Sequence, residues 1–124
     1  DLDIGLASDD RRGYRNAGRY PMMLFFGCAV GNFYFGRPTL ASDWVQTPGR
    51  GGIASIAHTY NGYVSPLNDY ATLFYQLLAD SAWVNQSVGT IQREVIRQYL
   101  LNDNSVFAIT TAQQLTLQGD PAVR

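Results

Sequence analysis

The sequence predicts an α/β fold with parallel strands, and three observations carry that prediction. First, Met22-Met23-Leu24-Phe25-Phe26 is a short apolar run opened by Pro21 and closed by Gly27, the length and flanks of a buried strand over residues 22–26. Second, Gly51-Gly52 leads into a similar run, Ile53-Ala54-Ser55-Ile56-Ala57, read as a strand over 53–57. Third, the residues between them form a helix over 39–46, with Thr39 as its cap and Thr47-Pro48-Gly49-Arg50 as its breaker. A strand-helix-strand order of this kind closes by a right-handed crossover, which makes the strands parallel and brings their ends to one sheet edge, where open α/β folds place their ligands. Cys28 and His58, each just beyond such a run, are therefore expected to be neighbours.

The remaining elements follow in order. Residues 1–20 are rich in Asp, Arg and Gly and read as an irregular segment with at most a short helix. Ser65 reads as an N-cap with Pro66 as first helical residue, after which Leu67, Tyr70, Ala71, Phe74, Leu77 and Leu78 recur at helical spacing and define one buried stripe. Tyr70 and Phe74 belong to that stripe and are expected in the core. A further helix is expected over 88–101, capped by Ser87 or Thr90 and ended by Asn102-Asp103-Asn104. Residues 105–116 mix β-branched residues at 106–111 with the helix-favouring Ala112-Gln113-Gln114-Leu115, and are read as a short helix.

With 124 residues, 46% of them apolar, the chain can bury one core and is too short for two domains. Nine arginines, no lysine and ten acids leave a formal charge of −1, and the arginines form no run or stripe of the kind that binds nucleic acid. No apolar run approaches the ~18 residues of a membrane span. One cysteine cannot form an internal disulfide, so cysteine usage leaves the compartment open. There is no metal-ligand spacing, no phosphate loop and no paired carboxylates. Asp69, in a first helical turn, and Asp120, before Pro121, have ordinary structural explanations.

Cys28 is the candidate catalytic residue: a thiol delivered to a strand end between Gly27 and Gly31, whose small size admits a substrate backbone and lets the turn take conformations closed to other residues. The alternative for Cys28 is a small buried hydrophobe. His58 is the one imidazole in the chain, open to a role as base, as wall or substrate contact, or as a loop histidine satisfied by the backbone.

Read as G-C-x-x-G-[ND]-F, Gly27-Cys28-Ala29-Val30-Gly31-Asn32-Phe33 resembles the nucleophile segment of the gingipain-type cysteine peptidases, whose fold is caspase-like. The resemblance extends from about Asn16 to Arg124: Asn16-Ala17-Gly18-Arg19-Tyr20-Pro21 is similar to the lead-in N-x-G-[KR]-x-P, Pro38-Thr39-Leu40-Ala41 to the start of the next helix, Gly51 to Ala57 with Ser65-Pro66 to the following strand and helix, and Gln118-Gly119-Asp120-Pro121-Ala122 to the signature that ends the peptidase domain. It implies a three-layer α/β fold with a mostly parallel sheet. It also implies that residues 1–124 are the C-terminal portion of a peptidase domain lacking upstream strands, since Asp1-Leu2-Asp3-Ile4-Gly5-Leu6 resembles the segment just after the family's base histidine, a G-H-[GS] motif.

On that resemblance Cys28 is the nucleophile, the Gly27 and Cys28 backbone frames the oxyanion site, the general base lies upstream, and Tyr63 contributes to the primary specificity pocket. The family has a small residue where His58 stands, which favours a wall or substrate-contact role for it. The implied substrate is a polypeptide, with no cofactor or metal. The implied setting is a secreted or surface enzyme of a Bacteroidetes-type bacterium, possibilities extending to the sortase-like members of type IX secretion. The implied partner is the remainder of the domain, without which the fragment is expected to self-associate or to fold only marginally. A non-catalytic relative that uses the same cleft for binding is the competing reading.

Overall fold

The computed structural model describes residues 3–124, and the part of the resemblance that falls on Asp1 and Leu2 lies outside them. Strand β1 (Met22–Phe25), helix α1 (Leu40–Gln46) and strand β2 (Ala54–His58) form the expected unit, with β1 and β2 parallel and Leu24 opposite Ile56. Helices α2 (Val64–Ala79), α3 (Val88–Asn102) and α4 (Val106–Gln114) follow, and the chain ends in strand β3 (Leu115–Gly119). β3 is antiparallel to β2, with Leu117 opposite Ile56, which gives the order β1-β2-β3. The sheet described is therefore mixed; β3 has no counterpart in the sequence analysis, whose short helix over 105–116 took in only its first two residues, Leu115 and Thr116.

Alternation sorts the strand residues onto two faces. Ile56, Leu24 and Leu117 face the layer formed by α2, α3 and α4, where Tyr70, Phe74, Val95 and Ala108 are fully enclosed. Ser55 faces α1, its hydroxyl reaching the Ala41 carbonyl at 3.5 Å. Three layers result. β2 is buried at every position because it is paired on both edges and covered on both faces, whereas β1, paired only to β2 among the described residues, is half-buried throughout.

The N-terminal segment is irregular apart from a 3-10 turn at Asp10–Arg12, and it is fixed to the α1 layer by specific polar contacts. Trp44 Nε1 donates to Gly5 O at 2.9 Å, Ser8 N–H donates to the buried Asp43 carboxylate at 3.1 Å, and Asn16 exchanges two hydrogen bonds with the backbone of Gly51. The Asn16 motif thus holds the loop that feeds β2.

Three expectations shift. β2 starts and ends one residue later than 53–57, so His58 is a strand residue; Ile53 stays outside, its N–H bonded to Pro21 O. Helix α2 starts at Val64, because Tyr63 O accepts from Leu67 N–H, and its N-cap Tyr63 makes no side-chain bond. Ser65 is consequently the second helical residue, and Pro66 the third, where its missing N–H costs nothing. The buried stripe holds at Leu67, Tyr70, Phe74 and Leu77, while Leu78 is exposed.

The caps that do form differ measurably from the one that does not. Thr39 and Ser42 make a reciprocal capping box on α1. Thr39→Ala is expected to lower stability by about 1 kcal/mol, and Ser65→Ala to stay within about 0.5 kcal/mol, read as denaturation midpoints of the two variants in the same background.

Candidate active site at the carboxyl end of the parallel strands

β1 runs out at Phe25, and after Phe26 and Gly27 the chain reverses over residues 28–31. The reversal rests on Ala29, which takes the left-handed conformation at φ 57°. An L-residue pays roughly 1–2 kcal/mol there, so the surrounding bonds must hold it. Gly31 N–H donates to His58 O at 3.0 Å and Ala29 N–H to Tyr60 O at 2.8 Å; on the other side Gln118 Nε2 donates to Gly31 O at 2.8 Å. The end of β2 and the loop after it therefore continue as a template for the turn.

The glycines serve space more than torsional freedom. A Cβ on Gly31 would lie 2.6 Å from the Ala57 Cβ and 3.0 Å from its backbone, so the turn packs directly on β2. A Cβ on Gly27 would meet Val30 Cγ2 at 2.6 Å. The left-handed residue of the turn is Ala29, not either glycine.

Cys28 is exposed at the tip of this turn. Gly62 N–H points at its Sγ from 3.4 Å, and the Gly62 carbonyl oxygen is 3.9 Å from the sulfur. The Gly27 and Cys28 amides donate to no other group among the described residues. A pocket of about 430 Å³ opens beside the sulfur, with Phe26 on one wall and Val64, Leu67, Asn68 and Ala71 of α2 on the other. Those α2 positions form a single helical face. Apart from Cys28 itself, Asn68 is the one polar side chain in the lining.

His58 shares the sheet end with Cys28 but not the pocket. Its ring is fully buried beneath Gly62, whose added Cβ would lie 3.7 Å from His58 Cε1. Nδ1 is 2.8 Å from Tyr60 O, and a carbonyl only accepts, so Nδ1 carries the proton and donates. Nε2 is enclosed with no partner among the described residues. The ring makes no hydrogen bond to Sγ and is not among the residues that line this pocket. Tyr63, the N-cap of α2, is half-exposed next to the lining residues Gly62 and Val64, and stacks edge-on against Phe107 at 4.8 Å.

Gln118, Gly62 and Phe107 were missed from sequence. Gln118 carried a signal, since it stands two residues from Thr116 on an alternating segment and so shares its face. Gly62 acts through a main-chain amide, which leaves no trace in side-chain patterns. Among the described residues no group of His, Cys, Asp and Glu is able to hold a metal, and no helix is long and apolar enough to cross a membrane.

The sequence matches Peptidase family C25 over residues 3–124. Among solved structures, the complex of the pro- and mature domains of RgpB from Porphyromonas gingivalis is similar with a TM-score of 0.77 and 19% identity, covering 87% of this chain and 27% of that one. The Arg-specific cysteine proteinase gingipain R (RgpB) is similar with a TM-score of 0.76 and 20% identity, covering 87% of this chain and 26% of that one. At such identity the likeness shows the fold, over about a quarter of the length of those chains. No curated protein matches.

The packing of the turn gives an ordered set of outcomes. Gly31→Ala is expected to destabilise by about 1–3 kcal/mol through overpacking against Ala57. Ala29→Gly relieves the left-handed strain and is expected to be neutral or slightly stabilising, whereas Ala29→Val lowers stability. Melting temperatures ranked Gly at or above Ala, and Ala above Val, at position 29 check the conformation.

Proposed function

We propose, from the premise that this chain belongs to peptidase family C25, that it supplies the nucleophile of a cysteine endopeptidase whose remaining catalytic groups come from the rest of the same domain. The observation that carries the reading is Cys28 itself: an exposed thiol on a strained turn at the end of β1, facing a backbone N–H and opening on a pocket. A core cysteine would need none of these.

In this reading the Cys28 thiolate attacks the carbonyl carbon of a peptide bond, and the Gly27 and Cys28 amides, free of other acceptors, donate to the oxyanion that forms. Collapse of the tetrahedral species expels the amine, which takes a proton from the general acid; water then attacks the thioester and restores the thiol. The base belongs to the upstream part of the domain, since the His58 ring is engaged with Tyr60 O. Tyr63, next to the pocket wall and braced by Phe107, shapes the entrance for the side chain preceding the cleaved bond. The half-buried β1, unpaired on one edge among the described residues, is where a further strand of the domain docks. The family resemblance extends the reading to a secreted or surface enzyme of a Bacteroidetes-type bacterium, with sortase-like cleavage of exported proteins as one form of the activity.

Two measurements test the reading. In the full-length protein, Cys28→Ala is expected to lower kcat/KM on a mixed fluorogenic peptide library by at least about 10³-fold; unchanged turnover in that variant overturns the assignment and leaves a binding module. Residues 1–124 alone are expected to show no thiol-dependent turnover and to associate with rising concentration in light scattering, and a dilution-insensitive monomer contradicts the docking edge.

A further inference from the structure

His58 is a fully buried imidazole that the proposed chemistry does not use. Its one hydrogen bond goes to the Tyr60 carbonyl, and the same oxygen accepts from Ala29 N–H, the residue after Cys28. Two residues beyond Tyr60, Gly62 N–H meets the Cys28 sulfur at 3.4 Å. His58 also contributes its own carbonyl to Gly31 N–H. The ring thus anchors, at its midpoint, the short loop whose main chain touches the nucleophile turn from two sides.

As a core residue, His58 is a poor choice. The Nε2 atom is enclosed without a partner among the described residues, a state that costs stability and that an apolar side chain of similar volume would avoid. Removing the ring would not orphan the Tyr60 carbonyl either, because Ala29 N–H remains on it. The imidazole therefore supplies position more than stability.

We propose that His58 is a positioning residue for Cys28: its Nδ1–H holds the Tyr60 carbonyl, and through it the Gly62 amide, in register with the sulfur. The proposal rests on Cys28 being the reactive thiol, and goes beyond that reading by giving the buried imidazole a task away from the substrate. A planar ring donating from Nδ1 suits this task, because the donor must come from close to the backbone of the last β2 residue. Asn places an amide N–H near the position of Nδ1, while Gln places it near that of Nε2.

The test uses the full-length protein with His58→Leu, His58→Asn and His58→Gln, each checked for folding by its melting curve. Three quantities are read: kcat and KM separately, the rate of Cys28 alkylation by iodoacetamide at pH 7, and hydrogen exchange of a peptide spanning residues 59–63. His58→Leu is expected to melt at or above the native temperature, yet to lose kcat about tenfold or more with KM within about twofold, to slow alkylation and to speed exchange. His58→Asn is expected to recover most of each loss, and His58→Gln little of it. If His58→Leu leaves alkylation and exchange unchanged, or if Gln rescues as well as Asn, the proposal is overturned; the Asn and Gln pair decides the matter even where Leu fails to fold. Alkylation and exchange are independent of peptide hydrolysis. A native protein without thiol-dependent turnover would therefore defeat the peptidase reading while still judging His58.

Discussion

The whole site depends on a contact between two pieces of main chain with nothing between them. Gly31 lies on Ala57 so closely that a methyl group would intrude, and its N–H closes onto the His58 carbonyl at the last position of β2. Once that contact is made, the chain from Gly27 to Gly31 has little choice. It must reverse within a few residues, which places Ala29 in the left-handed region, and the reversal turns Cys28 outward. The strain at Ala29 is offset by bonds from the end of β2 and the loop that continues it, and from Gln118 on β3, so the turn is held by two separate stretches of chain.

β2 can play this part because it is the rigid element of the described fold. Pairing on both edges satisfies its backbone groups, and the layers on either face bury all five of its residues. Packing on the helical side is dense: Tyr70 stacks edge-on against Tyr99 at 5.9 Å, and Phe74, Val95 and Ile56 are shielded from water. Each such side chain, fully buried, contributes about 1.5–3 kcal/mol. The cost of the strained turn is small beside this. The opposite face is held differently, by polar groups of α1 reaching the irregular N-terminal segment, with Asp43 and Trp44 as the anchors.

Much of this was readable in the residues, wherever the signal is local. Apolar runs with glycine and proline flanks located β1 and β2 to within a residue, and Thr39 and Ser87 acted as the caps their chemistry suggests. Cys28 at a strand end was legible for the same reason. What escaped was non-local or made of main chain. β3 follows α4 with no breaker between Gln114 and Leu115, so the helix-forming glutamines masked the alternation of Leu115 and Leu117 with Thr116 and Gln118, and only pairing to β2 decides it. Ser65 looked like a cap because the usual side-chain signal was present, yet the Tyr63 carbonyl had already started the helix. The Gly62 amide and the Tyr60 carbonyl have no side-chain signature, and the burial of His58 followed from a one-residue extension of β2 that no pattern marked.

The pocket wall and the Cys28 turn draw on different parts of the chain. Val64, Leu67, Asn68 and Ala71 project from one face of α2, while the groups that grip the Cys28 turn are main-chain atoms of β2 and its following loop together with the side chain of Gln118. Exchanging a side chain on that helical face alters the size and polarity of the cleft without removing a single hydrogen bond from the turn. Under the proposed function, selectivity and reactivity are thereby separable under mutation: a lineage of such chains can diversify what enters the cleft by single substitutions on α2 while the sulfur and its supports are inherited unchanged.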